Sequence, residues 1–197
     1  MRITIKLLEL LLMLSVLLIT TLLVSCEKPL DNPFKQFVIP ENRHSPLLPR
    51  VQSLQSHTLE FETIFDESAI YQTKQTINQH DINKLYGFSD CNSSHKKNSA
   101  RFGWRWLKGK LEIHAYVYSD GNLQSEYVGE IELNQSYFYQ IELKDKYYVF
   151  SLEGFDLVFM ERSRRCKRGL YYMLFPYFGG DEVAPHDILI QIRRHSF

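Results

Sequence analysis

The chain lacks net charge: 23 Lys and Arg balance 23 Asp and Glu across 197 residues. Bulk electrostatics draw it toward neither nucleic acid nor an acidic partner, so nucleic acid is set aside and any charge argument has to be local. Cysteine is scarce, with Cys26, Cys91 and Cys166 the whole supply. None stands in a Cys-x-x-Cys pair or another metal-ligand spacing, which speaks against zinc. Serine-triad and phosphate-loop signatures are missing as well. Beyond the first 25 residues no stretch has a clear helical period, "AIYQTKQTINQHDI" (69–82) being the one ambiguous run. What remains is an aromatic-rich chain, 14% Phe, Trp and Tyr, of a composition that suits a folded, strand-rich domain rather than disorder.

The N-terminus opens with Arg2 and Lys6 and continues as an apolar run from Leu10 to Val24. That run has the length of a signal-peptide core and is short for a bilayer span, which needs roughly 20 apolar residues. It ends in Leu23-Val24-Ser25-Cys26, which resembles the bacterial lipobox. The expectation is a lipoprotein signal peptide over 1–25 and lipidation of Cys26. The plainer alternative is a membrane helix with an incidental cysteine at its end. Acyl chains such as palmitate would hold the mature protein on a membrane, each buried CH₂ adding ~0.8 kcal/mol. The expected location is the cell envelope, as an outer-membrane lipoprotein on the periplasmic or surface face. Five prolines lie between Pro29 and Pro49, so 26–56 reads as lipid anchor plus extended, semi-stiff tether.

From His57 onward the apolar pattern alternates with period two. "TLEFETIF" puts Leu59, Phe61, Thr63 and Phe65 on one face; "KLEIHAYVY" puts Leu111, Ile113, Ala115 and Val117 inward. Turn signals such as Ser119-Asp120-Gly121-Asn122 and Glu153-Gly154 separate the runs. About ten short strands follow, which predicts an all-β fold over 57–197: an antiparallel β-sandwich or jelly roll.

One hairpin can be aligned in advance. A two-residue turn at Lys108-Gly109 in "SARFGWRWLKGKLEIHAYVY" sets Trp106 opposite Leu111, Arg105 opposite Glu112, Gly103 opposite His114 and Arg101 opposite Tyr116. Arg101, Arg105, Glu112, His114, Tyr116 and Tyr118 then share the outward face, with Gly103 leaving a gap beside His114. Arg pairs bidentately with carboxylates, and Tyr and His stack on sugars and exchange protons, so this set would suit an acidic sugar. The plainer alternative is an exposed sheet face with an Arg105–Glu112 cross-strand pair.

"YFGGDEVAPHDILIQI" (177–192) stands one letter short of the Gly-Gly-Asp-Glu-Phe signature of diguanylate cyclases. An exported all-β domain meets no cytoplasmic GTP and has no mixed α/β fold, so that reading is excluded. Gly179-Gly180 reads instead as a tight loop into the last strand. The sharper alternative is a structural Ca²⁺ held by Asp181, Glu182 and Asp187, with no other cofactor expected. Cys91 and Cys166, in an oxidising compartment, are a candidate disulfide. That bridge would gather Lys96, Lys97, Arg162, Arg164, Arg165, Lys167 and Arg168 into a basic patch, the alternative being two solvated loops.

"NSARFGWRW…LEIHAYVY" and "LFPYFGGDEVAPHDI" behind a lipidated leader resemble a family of Bacteroidota lipoproteins with a concanavalin-like jelly-roll domain, over roughly Leu85 to Arg193. The resemblance implies fold and envelope placement but no activity. Three functions are open. The first is polysaccharide binding by the aromatic and basic face. The second is a polysaccharide lyase acting on uronates by β-elimination, with Arg101 neutralising the carboxylate and His114 or Tyr116 as base. Glu112-Ile113-His114 resembles the Gln-x-His pair of jelly-roll alginate lyases, but the Gln and the Tyr-Phe-Lys-x-Gly strand are absent. The third is an assembly lipoprotein that binds another envelope protein. A glycoside hydrolase fits less well, because no Glu-x-Asp-x-x-Glu strand is present.

Overall fold

Period-two alternation becomes strand wherever it runs for four residues or more, because it gives each strand one apolar face to bury. The computed structural model describes residues 33–47, 52–164 and 171–195. Within them lie twelve strands: β1 (Lys35–Ile39), β2 (Ser53–Leu54), β3 (Thr58–Phe65), β4 (Asn83–Ser89), β5 (Ser99–Leu107), β6 (Lys110–Ser119), β7 (Asn122–Ile131), β8 (Tyr137–Leu143), β9 (Tyr147–Leu152), β10 (Val158–Glu161), β11 (Tyr171–Leu174) and β12 (Ile188–His195). They form two six-stranded sheets, ordered β1-β12-β3-β8-β9-β10 and β2-β11-β4-β5-β6-β7. Every strand pairing is antiparallel. The all-β sandwich expected from the sequence is the fold found. The ambiguous run at 69–82 forms a 3-10 turn at Thr76–His80.

The core is aromatic and lies between the sheets. From the first sheet, Phe61 stacks on Tyr139 with centroids 5.0 Å apart. Phe102, from the second, meets Tyr139 edge-on at 4.9 Å and Phe150 at 5.0 Å. Trp104 packs on Phe65 and Tyr71. Each such fully buried ring contributes about 1.5–3 kcal/mol through removal from water, beyond which edge-to-face geometry adds a smaller amount.

The segment read as tether is corrected in part. Lys35–Ile39 pairs along its length with β12, and Phe37 and Ile39 are buried in the core. The following turn is tied down too: Asn42 N–H donates to the Ala184 carbonyl and Ala184 N–H to that of Arg43. The prolines on either side of "KQFVI" disguised a five-residue strand with ordinary alternation. The leader, Cys26, Arg165, Cys166, Lys167 and Arg168 lie outside the described residues.

The second sheet positions the site, and its irregularity matters. Between the pairs Lys84↔Gly103 and Gly87↔Arg101 the register of β4 shifts, so Leu85 and Tyr86 together face one residue of β5, Phe102. This β-bulge turns both Leu85 and Tyr86 into the core while leaving Lys84 on the outer face. Gly87 makes it possible. A Cβ there would stand 2.2 Å from the Ala100 carbonyl oxygen and 2.3 Å from the Arg101 Cβ.

Candidate functional site

The hairpin folds in the register expected: Arg101↔Tyr116, Gly103↔His114, Arg105↔Glu112 and Trp106↔Leu111 are all paired. Lys108 and Gly109 both have positive φ, 51° and 77°, the backbone a tight two-residue hairpin turn requires. Arg101, Arg105, Glu112, His114, Tyr116 and Tyr118 therefore share one face of β5 and β6.

That face is not open, which corrects the picture of an exposed sheet. Arg101, His114 and Tyr116 are only 6%, 5% and 6% exposed. The segment before β4 lies over it. Arg105 Nη1 donates to the His80 carbonyl at 2.8 Å, and Gln79 Nε2 to that of Trp106 at 2.7 Å. The gap at Gly103 is filled as well, since a Cβ there would lie 2.4 Å from Ile82 Cγ2. Glycine serves here to let a covering chain approach, not to admit a ligand.

Two charge environments result. At one end Arg105 Nε donates to Glu112 Oε2 at 2.6 Å, and His114 Nε2 stands 3.3 Å from the same oxygen. Burial holds the His114 imidazole below its ordinary 6.5, and Arg105 depresses it further against the pull of Glu112. The ring also meets Tyr127 edge-on at 5.7 Å.

At the other end two cations gather, and the acid facing them, Asp81, forms no ion pair with either among the described residues. Arg101 forms no ion pair among the described residues, and its buried Nε has no hydrogen-bond partner. Burial lowers its guanidinium to about 10, although Tyr116 and Tyr118 oppose this. Its Cζ lies 6.0 Å from the centroid of the Tyr116 ring. Lys84 Nζ approaches the same ring at 4.7 Å and donates to the Ile82 carbonyl at 2.6 Å. Burial, and then Arg101, bring the Lys84 amine down to about 8 against the pull of Asp81. The Tyr116 phenol is raised by burial first and by Tyr118 second, and so stays protonated across the physiological range. His95 is lowered by burial, with Arg101 and Lys96 adding to it. A buried cation without a counter-ion is costly. Such a cluster has the chemistry of an anion site.

The Gly-Gly-Asp-Glu loop abuts this cluster. A Cβ on Gly179 would stand 2.5 Å from both Lys84 Nζ and the Ile82 carbonyl oxygen, and Gly179 N–H donates to Asn83 Oδ1 at 2.8 Å. Glu182 clamps the covering segment: its carboxylate accepts from the Lys74 and Gln75 amides and from Asn78 Nδ2. Those bonds favour the ionised form and lower its pKa. Asp187 Oδ1 accepts from the Glu41 amide at 2.7 Å, tying β1's end to the last strand. Asp181, Glu182 and Asp187 are not brought together, and among the described residues no group of three His, Cys, Asp or Glu could hold a metal.

Cys91 is disulfide-bonded and sits at positive φ after β4. Beside it Asp90, fully buried, accepts from Arg162 Nε at 2.6 Å, from Tyr148 Oη at 2.8 Å and from the Cys91 amide at 2.6 Å. Arg162 is thus withdrawn from the expected basic patch by a buried acid. The sequence reading missed three members of the site, Lys84, Tyr127 and His95. Lys84 was concealed by the bulge, because strict alternation along "NKLYGF" groups it with the core residue Tyr86.

No family model matches the chain, nor does any curated protein. Solved structures do. The alginate lyase AlyC3 is similar with a TM-score of 0.59 at 12% identity, covering 84% of this chain and 75% of that one. Aly-SJ02, of polysaccharide lyase family 18, is similar with a TM-score of 0.51 at 7% identity, covering 86% and 91%. SCLam, a non-specific endo-beta-1,3(4)-glucanase from family GH16, follows with 0.50 at 8% identity, covering 73% and 57%. The likeness is one of fold. It supports a jelly-roll-like antiparallel β-sandwich for this chain.

Proposed function

We propose that this domain binds an anionic polysaccharide at the second sheet, and that lipid on Cys26 holds it on an envelope membrane. The observation that carries the binding reading is Arg101, a buried guanidinium with no ion-pair partner among the described residues and an unmade hydrogen bond at Nε. A ligand carboxylate supplies both the missing charge and the missing acceptor, and an Arg fork suits it bidentately. Tyr116, Tyr118 and Tyr127 add apolar ring faces and phenols, as sugar recognition requires. Polysaccharide-active proteins share the fold, one of them an alginate lyase in complex with dimannuronate, with a TM-score of 0.55, which supports a glycan as the ligand class.

A second reading follows from His114. Held neutral by burial, its imidazole can accept a proton near pH 7, so a uronate lyase is the catalytic version of the same site. Affinity electrophoresis through gels containing alginate or a neutral β-glucan tests the first reading: alginate retards the wild type, and Arg101→Met runs freely. Accumulation of unsaturated uronate ends, abolished in His114→Gln, would convert binder into lyase. Equal retardation by both glycans would remove the anion from the account.

A further inference from the structure

The face shared by Arg101, His114 and Tyr116 is overlaid by the segment before β4, and that segment is held in an unusual way. Residues 74–82 join neither sheet and form one short 3-10 turn, Thr76–His80. Both ends of the segment are fixed. Tyr71, Thr73 and Asn83 are buried, and Asn83 Nδ2 donates to Tyr71 Oη at 2.9 Å, which closes its base. The middle is different: no residue of 74–82 is buried, and Ile77 stands 72% exposed. A segment with so little apolar burial opens locally at low cost, because hydrogen bonds are most of what opposes its release.

Three of those bonds end on one side chain. Glu182 accepts from the Lys74 and Gln75 amides and from Asn78 Nδ2, at 2.8, 2.9 and 2.8 Å. The glycines before it meet the segment's other end. A Cβ on Gly180, at φ 80°, would overlap the Asp81 carboxylate, and one on Gly179 would crowd the Ile82 carbonyl. The Gly-Gly-Asp-Glu loop therefore grips the segment near both ends. On the sheet side Gln79 donates to the Trp106 carbonyl, His80 accepts from Arg105, and Ile82 fills the gap over Gly103.

We infer that residues 74–82 are a strap over the binding face and that the Gly-Gly-Asp-Glu loop is its clasp, with Glu182 setting how often the strap lifts to admit the glycan. This rests on the anionic-glycan reading and adds its control. With the strap down, Arg101, His114 and Tyr116 are almost wholly covered, and a sugar ring does not reach them. The strap is the part of that cover which burial holds least. A site that binds only when open shows an affinity reduced by the fraction of molecules that are open. Loosening the clasp raises that fraction, so the ligand associates faster while its dissociation is unaltered.

Hydrogen exchange and stopped-flow binding on the full chain in detergent test the inference, with a mannuronate trimer as probe. Glu182→Ala removes all three clasp bonds. Without ligand, the amides of 74–82 should exchange faster than those of β5 and β6 in the wild type. In Glu182→Ala they should exchange about three- to tenfold faster again, with β5 and β6 unchanged. Trimer association should accelerate by about the same factor, with dissociation unchanged. If the trimer binds both proteins at one association rate, the strap is overturned and the glycan reading stands. Amides of 74–82 that exchange no faster than those of β5 would overturn it too. A trimer that binds neither protein would remove the glycan reading, and the strap's role with it.

Discussion

Arg101 lies against Tyr116, guanidinium carbon 6.0 Å from ring centroid, and its buried Nε meets no acceptor. Aromatic contact gives such a cation only a fraction of what water gave it, and desolvation of an unpaired charge outweighs that gain. Stability and binding are therefore opposed at this residue. Replacing it by Met, similar in length and uncharged, should leave the melting temperature unchanged or raise it by a few degrees, about 2–4 °C for each kcal/mol recovered. Calorimetric melting of Arg101→Met without ligand checks this, and a marked drop would mean that Arg101 is structural.

The opposite sign is expected at Arg162. Here the cation answers Asp90, and both partners are buried. Arg162→Met strands a carboxylate in the core beside Tyr148 and should cost about 3–5 kcal/mol. Urea denaturation of the variant measures it. A double variant, Asp90→Asn with Arg162→Met, should recover part of that loss, since the uncompensated charge is gone.

Titration of His114 offers a prediction with a definite direction. Its folded pKa lies below the unfolded 6.5, by burial first and Arg105 second. The unfolded chain therefore binds more protons in the window just under 6.5, and this residue's contribution to stability falls as pH drops through it. Imidazole resonances followed by NMR should place His114 below 6.5. Arg105→Gln should move it upward, since the neighbouring positive charge is removed while Glu112 remains.

Trimming the chain tests the corrected boundary. A protein beginning at residue 50 lacks β1 and with it Phe37 and Ile39, both buried. At about 1.5–3 kcal/mol for each side chain, the loss is about 3–6 kcal/mol relative to a protein beginning at residue 33. Parallel denaturation of the two proteins shows it. Equal stabilities would return Lys35–Ile39 to the tether.

What could be read in advance follows from where periodicity is strict. Leu111, Ile113, Ala115 and Val117 alternate without interruption, and the Lys108-Gly109 turn fixes the count, so the β5–β6 register was legible to the residue. The site's chemistry was legible only as far as that hairpin reaches. Lys84 was hidden because the bulge at Leu85 and Tyr86 breaks the period. The cover over Gly103 comes from Ile82, about twenty residues away in sequence, and no local pattern announces such a contact. Glu182 looked like a metal ligand because its role depends on amides at Lys74 and Gln75 that only the fold brings near.

The central claim is that Arg101 holds an acidic sugar. Thermal denaturation of wild type and Arg101→Met, each with a mannuronate oligomer and with a neutral gluco-oligomer of equal length, tests it most directly. At a ligand concentration 100 times the dissociation constant the wild type should gain about 2.7 kcal/mol from the acidic oligomer and nothing from the neutral one. Arg101→Met should gain nothing from either. An unchanged gain in Arg101→Met, or an equal gain from the neutral oligomer, would contradict the account.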